Sequence, residues 1–181
     1  MVLTIPKTLR VKYRRRLLGE LCRAAVRTLT VHFETLAGEE IVPGMVVAVQ
    51  TSGDRIHFHP HLHLLVTEGG IDREGIFHRQ PRLDDARLAE ISGREVLRLL
   101  VDRGLLSPEW VERILSWRHT GFNVHSRVRA RTKTEAERIG KYMVRPVLAL
   151  ERLSFLENEG QVGYRHGPKG AGLERMSTSR N

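Results

Sequence analysis

The sequence predicts an α+β fold, in which helices pack on one face of an antiparallel sheet. Two segments rich in β-forming residues, Met45–Gln50 and His57–Thr67, are separated only by a short turn, so they are expected to pair antiparallel. Apolar residues recur at steps of three and four in Thr8–Leu36 and in Asp84–Arg103, which is the period of an α-helix. Locally paired strands and helices with one apolar stripe combine into an α+β domain.

The other elements are shorter. Val2–Ile5 is an apolar run that Pro6 ends, and it predicts a first strand. The sequence then predicts a helix from Ser107-Pro108-Glu109, a strand over Phe122–Val128, a helix over Thr134–Tyr142 and a strand over Gln161–His166.

Length and composition limit the class of protein. The 181 residues suit one domain, assigned to residues 1–166, and the Gly- and Ser-rich segment 167–181 is predicted to be a disordered tail. A single cysteine, Cys22, excludes an internal disulfide framework and a four-cysteine zinc site. The chain has neither an apolar run of about 18 residues nor the pattern of a signal peptide, so we expect no membrane partner and a cytoplasmic location.

The positive charge is concentrated in two segments. The formal net charge is +9, and the basic residues crowd the first thirty positions and the region from 118 to 145. Such clusters favour phosphate contacts with nucleic acid, and the alternative is that they are solvated faces. The candidate DNA-binding residues are Lys7, Arg10, Arg14, Arg118, Arg129, Arg131, Arg138, Lys141 and Arg145.

Four histidines alternate along the second predicted strand. His57, His59, His61 and His63 are expected to project from one face, because successive strand residues point to opposite sides. Neutral imidazole is a common metal ligand. Pro60 lacks an N–H and predicts an irregularity, so His61 and His63 are the better ligand pair and His59 is a third candidate. The alternative is a hydrogen-bonded histidine ladder without metal.

Gln50 ends the preceding strand. Antiparallel pairing across the turn would bring it near the histidines. An amide oxygen is a hard ligand that suits Mg²⁺ or Mn²⁺, so Gln50 is a candidate metal ligand. The alternative is a side chain that caps the turn.

Tyr142 differs from the other two tyrosines in its surroundings. Tyr13 lies on an apolar helical stripe and Tyr164 lies near the end of the chain, whereas Tyr142 is flanked by Lys141 and Arg145. A tyrosine nucleophile beside a metal and basic residues suits cleavage of a DNA strand through a phosphotyrosine. The alternative is a half-buried packing residue.

These motifs together resemble the HUH endonucleases, and more closely the rolling-circle transposases of bacterial insertion sequences. The resemblance covers residues 1–166 and is carried by Gln50-Thr51-Ser52-Gly53, His59-Pro60-His61-Leu62-His63-Leu64-Leu65-Val66-Thr67, Gly69-Gly70, Lys141-Tyr142 and Arg145-Pro146. It implies an HUH-type palm, with a divalent metal (Mg²⁺ or Mn²⁺) held by His61 and His63, and with Gln50 at the family's third position. It further implies that Tyr142 nicks single-stranded DNA at mobile-element ends, leaving a 5′-phosphotyrosine and a free 3′-hydroxyl.

The sequence also departs from that family. Many relatives carry two tyrosines four residues apart, whereas Arg138 stands four positions before Tyr142, which indicates a single-tyrosine branch. Relatives begin with a cysteine-rich zinc-binding region and continue further, so the resemblance implies a truncated transposase. Two alternatives stay open: a DNA-binding remnant without catalysis, and a cupin-like metal enzyme that acts on a small molecule.

Overall fold

The computed structural model describes residues 1–10, 17–52, 58–80, 82–146, 149–166 and 172–177. In this part of the chain the helices are α1 (Lys7–Arg10), α2 (Leu18–Ala37), α3 (Asp85–Asp102), α4 (Pro108–Leu115) and α5 (Lys133–Met143). The strands are β1 (Val2–Thr4), β2 (Val42–Ser52), β3 (Phe58–Ile71), β4 (Phe77–Arg79), β5 (Asn123–His125), β6 (Leu153–Leu156), β7 (Gln161–His166) and β8 (Gly172–Ser177).

All recorded strand pairs are antiparallel and form two sheets. The larger sheet has the order β2-β3-β1-β5, and β4 pairs with the far end of β3. The smaller sheet has the order β6-β7-β8. The α+β class and the antiparallel sheet with packed helices are therefore confirmed.

One face of the large sheet and the helices α2 and α3 enclose the apolar core. Leu62 and Leu64 of β3 are 1% exposed and belong to the same buried cluster as Phe33 of α2 and Leu97 of α3. Complete burial of one such side chain stabilises the fold by about 1.5–3 kcal/mol. The helix ends are also specified locally, since the Asp84 carboxylate accepts hydrogen bonds from the N–H groups of Ala86 and Arg87 at the start of α3.

The strand β3 is irregular at Pro60, as the sequence predicts. Gln50 of β2 pairs with His61, whereas Ser52 pairs with Phe58, so the register shifts across the proline. Proline donates no ladder hydrogen bond, and a local shift in pairing accommodates its absence. From His61 onwards the register with β2 stays regular as far as Val66.

Several predicted elements differ from those observed. The single predicted helix Thr8–Leu36 is represented by α1 and α2, and residues 11–16 between them lie outside the described residues. The predicted strand Phe122–Val128 shortens to β5, because the inward alternation ends at Val124 and Val128 is 71% exposed. The sequence did not predict β4, β6 or β8.

The predicted disordered tail also needs a correction. Gly172–Ser177 form β8, which pairs with β7 over its whole length, so this part of the tail is ordered by backbone hydrogen bonds. Residues 167–171 and 178–181 lie outside the described residues, and the domain boundary at residue 166 stays a prediction. None of the described helices is both long and apolar enough to cross a membrane.

Gly69→Ala should destabilise the fold, because Gly69 has a φ of +148° where β3 pairs with β4. A Cβ at this position would lie 2.0 Å from the backbone carbonyl oxygen of His78, which cannot rotate away as a flexible side chain would. We expect a loss of about 2–4 kcal/mol in the free energy of unfolding, measured by urea denaturation. Gly19→Ala in α2 is the control, since nothing lies near its Cβ position, and its stability should stay equal or rise slightly. Equal stability of both variants would contradict the prediction.

Candidate functional site

The candidate site begins on the face of β3 that points away from the apolar core. His59, His61 and His63 alternate with the buried Leu62 and Leu64, and all three imidazoles are half-buried. The ring centroids of His59 and His61 are 5.1 Å apart, and those of His61 and His63 are 5.0 Å apart. The predicted histidine ladder therefore exists for these three residues, whereas His57 lies outside the described residues.

The backbone fixes the tautomer of His61. Its Nδ1 donates a hydrogen bond of 2.7 Å to the carbonyl oxygen of His59, because a carbonyl can only accept. The proton therefore resides on Nδ1, and the lone pair of Nε2 remains available to a metal ion. Ligating histidines are typically oriented in this way, through a hydrogen bond from the second ring nitrogen.

The surroundings of His63 favour its neutral form. Burial lowers the pKa of this imidazole, and electrostatic repulsion from His61 and from the Met1 ammonium group lowers it further. That ammonium group is held nearby, since it donates a hydrogen bond of 2.8 Å to the carbonyl oxygen of Leu64. A neutral imidazole is the form that binds metal.

Gln50 joins the histidines with the helix α5. Its Cα is the register partner of His61, and directly paired residues of antiparallel strands point to the same face. The side-chain amide donates a hydrogen bond of 3.1 Å to the carbonyl oxygen of Met143, the last residue of α5. The proximity of Gln50 to the histidines is thus as expected.

Tyr142 reaches the histidine ladder from α5. Its ring centroid lies 6.0 Å from that of His63, with the planes at 78°, and the side chain is 57% exposed. The neighbouring Met143 is 3% exposed, so burial of Met143 fixes the helix while the phenol stays accessible. The guanidinium carbon of Arg145 lies 5.8 Å from the centre of the Tyr142 ring, which is a cation–π distance.

The ends of α5 are set by local chemistry. The Thr132 hydroxyl accepts a hydrogen bond from the N–H of Glu135, and the Glu135 carboxylate accepts one from the N–H of Arg131, which resembles a capping box. Pro146 follows the helix by a few residues, and the residue before a proline is disfavoured in the helical region. Tyr142 is therefore presented in the last turn of a well-defined helix.

The available ligand atoms suit a divalent cation. Imidazole nitrogens of His61 and His63 and the amide oxygen of Gln50 form a mixed nitrogen and oxygen set, with His59 next along the ladder. Such a set suits Mn²⁺ better than an ion that prefers thiolates. One observation supports a metal ion at these residues. The hydrogen bond from His61 Nδ1 to the His59 carbonyl turns the opposite ring nitrogen, Nε2, away from the main chain.

The candidate DNA-binding residues fall into two groups. Arg138, Lys141 and Arg145 lie on or just after α5 and are exposed beside Tyr142, whereas Lys7 and Arg10 lie on α1. Arg118, exposed after α4, completes the second group. Arg131 is exposed at the start of α5, Arg129 is ion-paired with Glu68 at 3.1 Å, and Arg14 lies outside the described residues.

A cavity of about 890 Å³ extends the same sheet face beyond His63. Its floor includes Leu65 of β3 and Val46 of β2, which are register partners. Its wall is the segment 126–130, from which Val128 and Arg129 line the space. The face that carries the histidines therefore continues into a groove with an apolar floor, whose lining carries both basic residues (Arg82, Arg127 and Arg129) and acidic ones (Glu68, Asp84 and Asp85).

A second cluster of ligating side chains was not predicted. Glu39, Asp72 and His78 place one ligand atom each within 4.8 Å of one another, which could hold a metal ion. However, His78 Nε2 lies 2.6 Å from the Asp72 carboxylate, and His78 Nδ1 lies 3.2 Å from the Glu39 carboxylate. Both ring nitrogens thus face a carboxylate, so the arrangement is that of an imidazolium held between two anions. Only the fold brings Glu39 to the β3–β4 turn, so the sequence offered no signal for this cluster.

Comparisons with known proteins identify one family. The family model described as "Putative transposase" (Y2_Tnp) matches residues 44–179, which is well over half of the chain. The transposase for insertion sequence element IS801 of Pseudomonas savastanoi pv. phaseolicola is 27% identical over 173 residues, covering 87% of this chain and 42% of that protein. The chain therefore spans less than half the length of this curated relative. No solved structure matches.

The His78 cluster predicts a specific dependence of stability on pH. The hydrogen bond with Asp72 raises the pKa of His78 above its ordinary value of 6.5, and the same bond lowers the pKa of Asp72 below 3.8. The His78 contribution is complete below pH 6.5 and is lost as the pH rises through its folded-state pKa. The contribution of Asp72 to stability is complete above pH 3.8 and is lost as the pH falls through the folded-state pKa of Asp72. Both are therefore present together between about pH 4 and pH 6.5.

His78→Gln should remove this contribution. The difference in unfolding temperature between the wild type and the variant should be largest at about pH 5.5 and should shrink towards pH 8, measured by thermal denaturation. Burial lowers the pKa values of His32 and His63, so these residues make stability rise with pH, in the opposite direction to His78. They are present in both proteins, so their effect cancels when the variant is compared with the wild type. The exposed His119→Gln serves as the control for the general effect of replacing a surface histidine. A flat difference for His78→Gln would contradict the assignment.

Proposed function

Because the chain belongs to the transposase family whose model matches residues 44–179, we propose that it nicks and joins single-stranded DNA through Tyr142, in rolling-circle transposition at the ends of a mobile element. The observation that carries the proposal is the approach of the Tyr142 ring to His63, at 6.0 Å between centroids. It supports an HUH-type site, in which a histidine strand and a tyrosine helix face each other. The family favours this function over a cupin-like enzyme on a small molecule.

Tyr142 is the nucleophile in this proposal. Its phenolic oxygen attacks the phosphorus of the scissile phosphodiester, a bond forms between that oxygen and phosphorus, and the bond from phosphorus to the 3′-oxygen breaks. The phenolic proton leaves to solvent, to which the half-exposed side chain is open, and the departing 3′-oxygen takes up a proton. The products are a 5′-phosphotyrosine and a free 3′-hydroxyl. Attack of a 3′-hydroxyl on the phosphotyrosine reverses the step and joins strands.

His61, His63 and Gln50 would hold a divalent cation, Mg²⁺ or Mn²⁺, with His59 as a further candidate. When bound, such a cation supplies charge stabilisation to the phosphate and to the leaving 3′-oxygen. The protein contributes orientation, because the His61 tautomer is fixed by the His59 carbonyl and the Gln50 amide is bonded to the end of α5. The nucleophile and the ligands are thereby positioned relative to each other before DNA binds.

Basic residues around Tyr142 would hold the DNA backbone. Arg138, Lys141 and Arg145 offer their charges to the phosphates on either side of the scissile bond. The groove lined by Leu65, Val128 and Arg129 gives the strand a path away from the tyrosine, with an apolar floor for sugars and bases.

A single tyrosine serves both steps in this proposal. Tyr164 is 6% exposed on β7, which keeps its hydroxyl away from DNA, and Tyr13 lies outside the described residues. Arg138 occupies the position one turn before Tyr142 on α5, where a second tyrosine would share the same helix face.

Tyr142→Phe should abolish covalent attachment to DNA while leaving DNA binding in place, because it removes only the attacking oxygen. The measurement is incubation of labelled single-stranded DNA carrying candidate element ends with the protein and Mn²⁺, followed by a denaturing gel. The wild type should give a slowly migrating, protease-sensitive adduct. Tyr164→Phe is the matched control and should keep the adduct, since that ring is buried. An adduct that survives in Tyr142→Phe would remove this residue from its role, and DNA retardation without any adduct would favour a binding-only protein.

His61→Ala together with His63→Ala should abolish the response of the protein to Mn²⁺. A ligand that binds only the folded state raises its stability, by about 2.7 kcal/mol at a hundredfold excess over Kd. We expect Mn²⁺ to raise the unfolding temperature of the wild type and to leave that of the double variant unchanged, independently of any activity. His119→Ala is the control, because that imidazole is exposed and lies outside the ladder. An equal shift in the double variant would place the metal elsewhere, with the Glu39, Asp72 and His78 cluster as the first alternative.

A further inference from the structure

The chain has only two tryptophans, and both line the same cavity at α4. Trp110 is 49% exposed and Trp117 is 37% exposed, although large aromatic rings usually bury most of their surface. The two positions are seven residues apart, so they share one side of the helix and its following turn. Arg113 lies between them, and its guanidinium carbon is 5.1 Å from the centre of the Trp110 ring.

The cavity has a volume of about 870 Å³, which is within the range of about 300–1,000 Å³ typical of small-ligand sites. Thr8 and Leu9 of α1 form one wall, and the turn between α3 and α4, with the start of α4, forms another. Ile114 contributes a buried apolar surface. The space thus offers two indole rings and an apolar wall to a flat, largely apolar ligand.

Charges of both signs lie next to this cavity, with basic residues in excess. Among the described residues that line it, Arg113 is the only charged one. Lys7 and Arg10 flank the wall residues Thr8 and Leu9 along α1, and Arg118 follows Trp117. Glu109 and Glu112 are exposed on α4 and, like Lys7, Arg10 and Arg118, flank lining residues without lining the cavity themselves. The excess of positive charge therefore complements a polyanion such as nucleic acid rather than a basic or neutral peptide.

We propose that this cavity receives an unpaired nucleobase of single-stranded DNA, stacked on Trp110 and Trp117, while Lys7, Arg10 and Arg118 contact the adjoining phosphates. Bases stack on aromatic side chains regardless of sequence, and guanidinium groups add cation–π attraction. This inference rests on the proposed function, since it concerns the same DNA strand, but it assigns a second contact outside the histidine and tyrosine site.

One DNA strand can reach both the candidate site at His61 and the cavity lined by Trp110 and Trp117. Thr4 of β1 is the register partner of His61, and Thr8 follows it by four residues. The chain can span at most about 14 Å over that interval, and paired strands add about 5 Å. The wall of the cavity therefore lies within about 20 Å of His61, which about six nucleotides cover at a rise of 3.4 Å each.

The test compares base-dependent binding of two DNA probes with the whole chain, with metal chelated so that no cleavage occurs. One probe is an oligodeoxythymidylate of about 15 nucleotides, and the other is an abasic strand of equal length and charge. The thymidylate strand should quench the intrinsic tryptophan fluorescence and bind more tightly than the abasic strand. Trp110→Ala should weaken binding of the thymidylate strand by roughly 10- to 100-fold and leave abasic binding nearly unchanged. Trp110→Phe should restore most of the affinity.

Phe77→Ala is the matched control, because Phe77 is a comparably exposed aromatic residue on β4, outside the cavity. It should bind both probes as the wild type does. Equal affinity of the wild type for both probes, or unchanged binding in Trp110→Ala, would overturn the inference and leave the cavity to an apolar protein segment. If either of these results is found while Tyr142 still forms the adduct, only the proposed base binding in the cavity is contradicted. If binding depends on the bases but no adduct forms, only the proposed nicking activity is contradicted.

Discussion

The two-residue alternation of β3 is the constraint on which the rest of the structure depends. Leu62 and Leu64 are buried against α2 and α3, and this burial commits His61 and His63 to the opposite face. A slip of one residue in the register would exchange the two sets, placing imidazoles in the core and leucines on the surface. Since β1, β2 and β4 all pair with β3, the apolar core indirectly fixes the geometry of the polar site.

The position of Tyr142 depends on a different set of contacts. The helix α5 lies on the histidine side of β3, where it is anchored by the buried Met143 and by the hydrogen bond from Gln50 to the Met143 carbonyl. The adjacent residue, Tyr142, is thereby exposed next to His63. Gln50 consequently has two roles. Its amide nitrogen holds the end of α5, and its side chain shares a face of the sheet with His61. The distance between Tyr142 and the histidines thus depends on Gln50 as well as on the buried Met143.

The sequence predicted those parts of the fold and of the site that local patterns encode. The alternation in β3, the period of α3 and the irregularity at Pro60 were all predicted, and so was the proximity of Gln50 to the histidines. The strand β4 escaped prediction because three residues carry too little pattern, and β8 because a Gly- and Ser-rich composition resembles that of a disordered tail. The approach of Glu39 to His78 depends on where α2 ends relative to the β3–β4 turn, which no local pattern contains.

The two groups of basic residues lie on separate surfaces of the protein. Arg138, Lys141 and Arg145 follow α5 to the histidine face, whereas Lys7 and Arg10 follow β1 around the end of the sheet to the tryptophan cavity. β1 and β3 are neighbours, so the two surfaces are joined through the backbone ladder at Thr4 and His61. A strand of DNA that meets both surfaces would be held at two points. Contacts at the scissile phosphodiester and at a second, distant point restrict the orientation of the strand, which is the condition that attack by a fixed phenol requires.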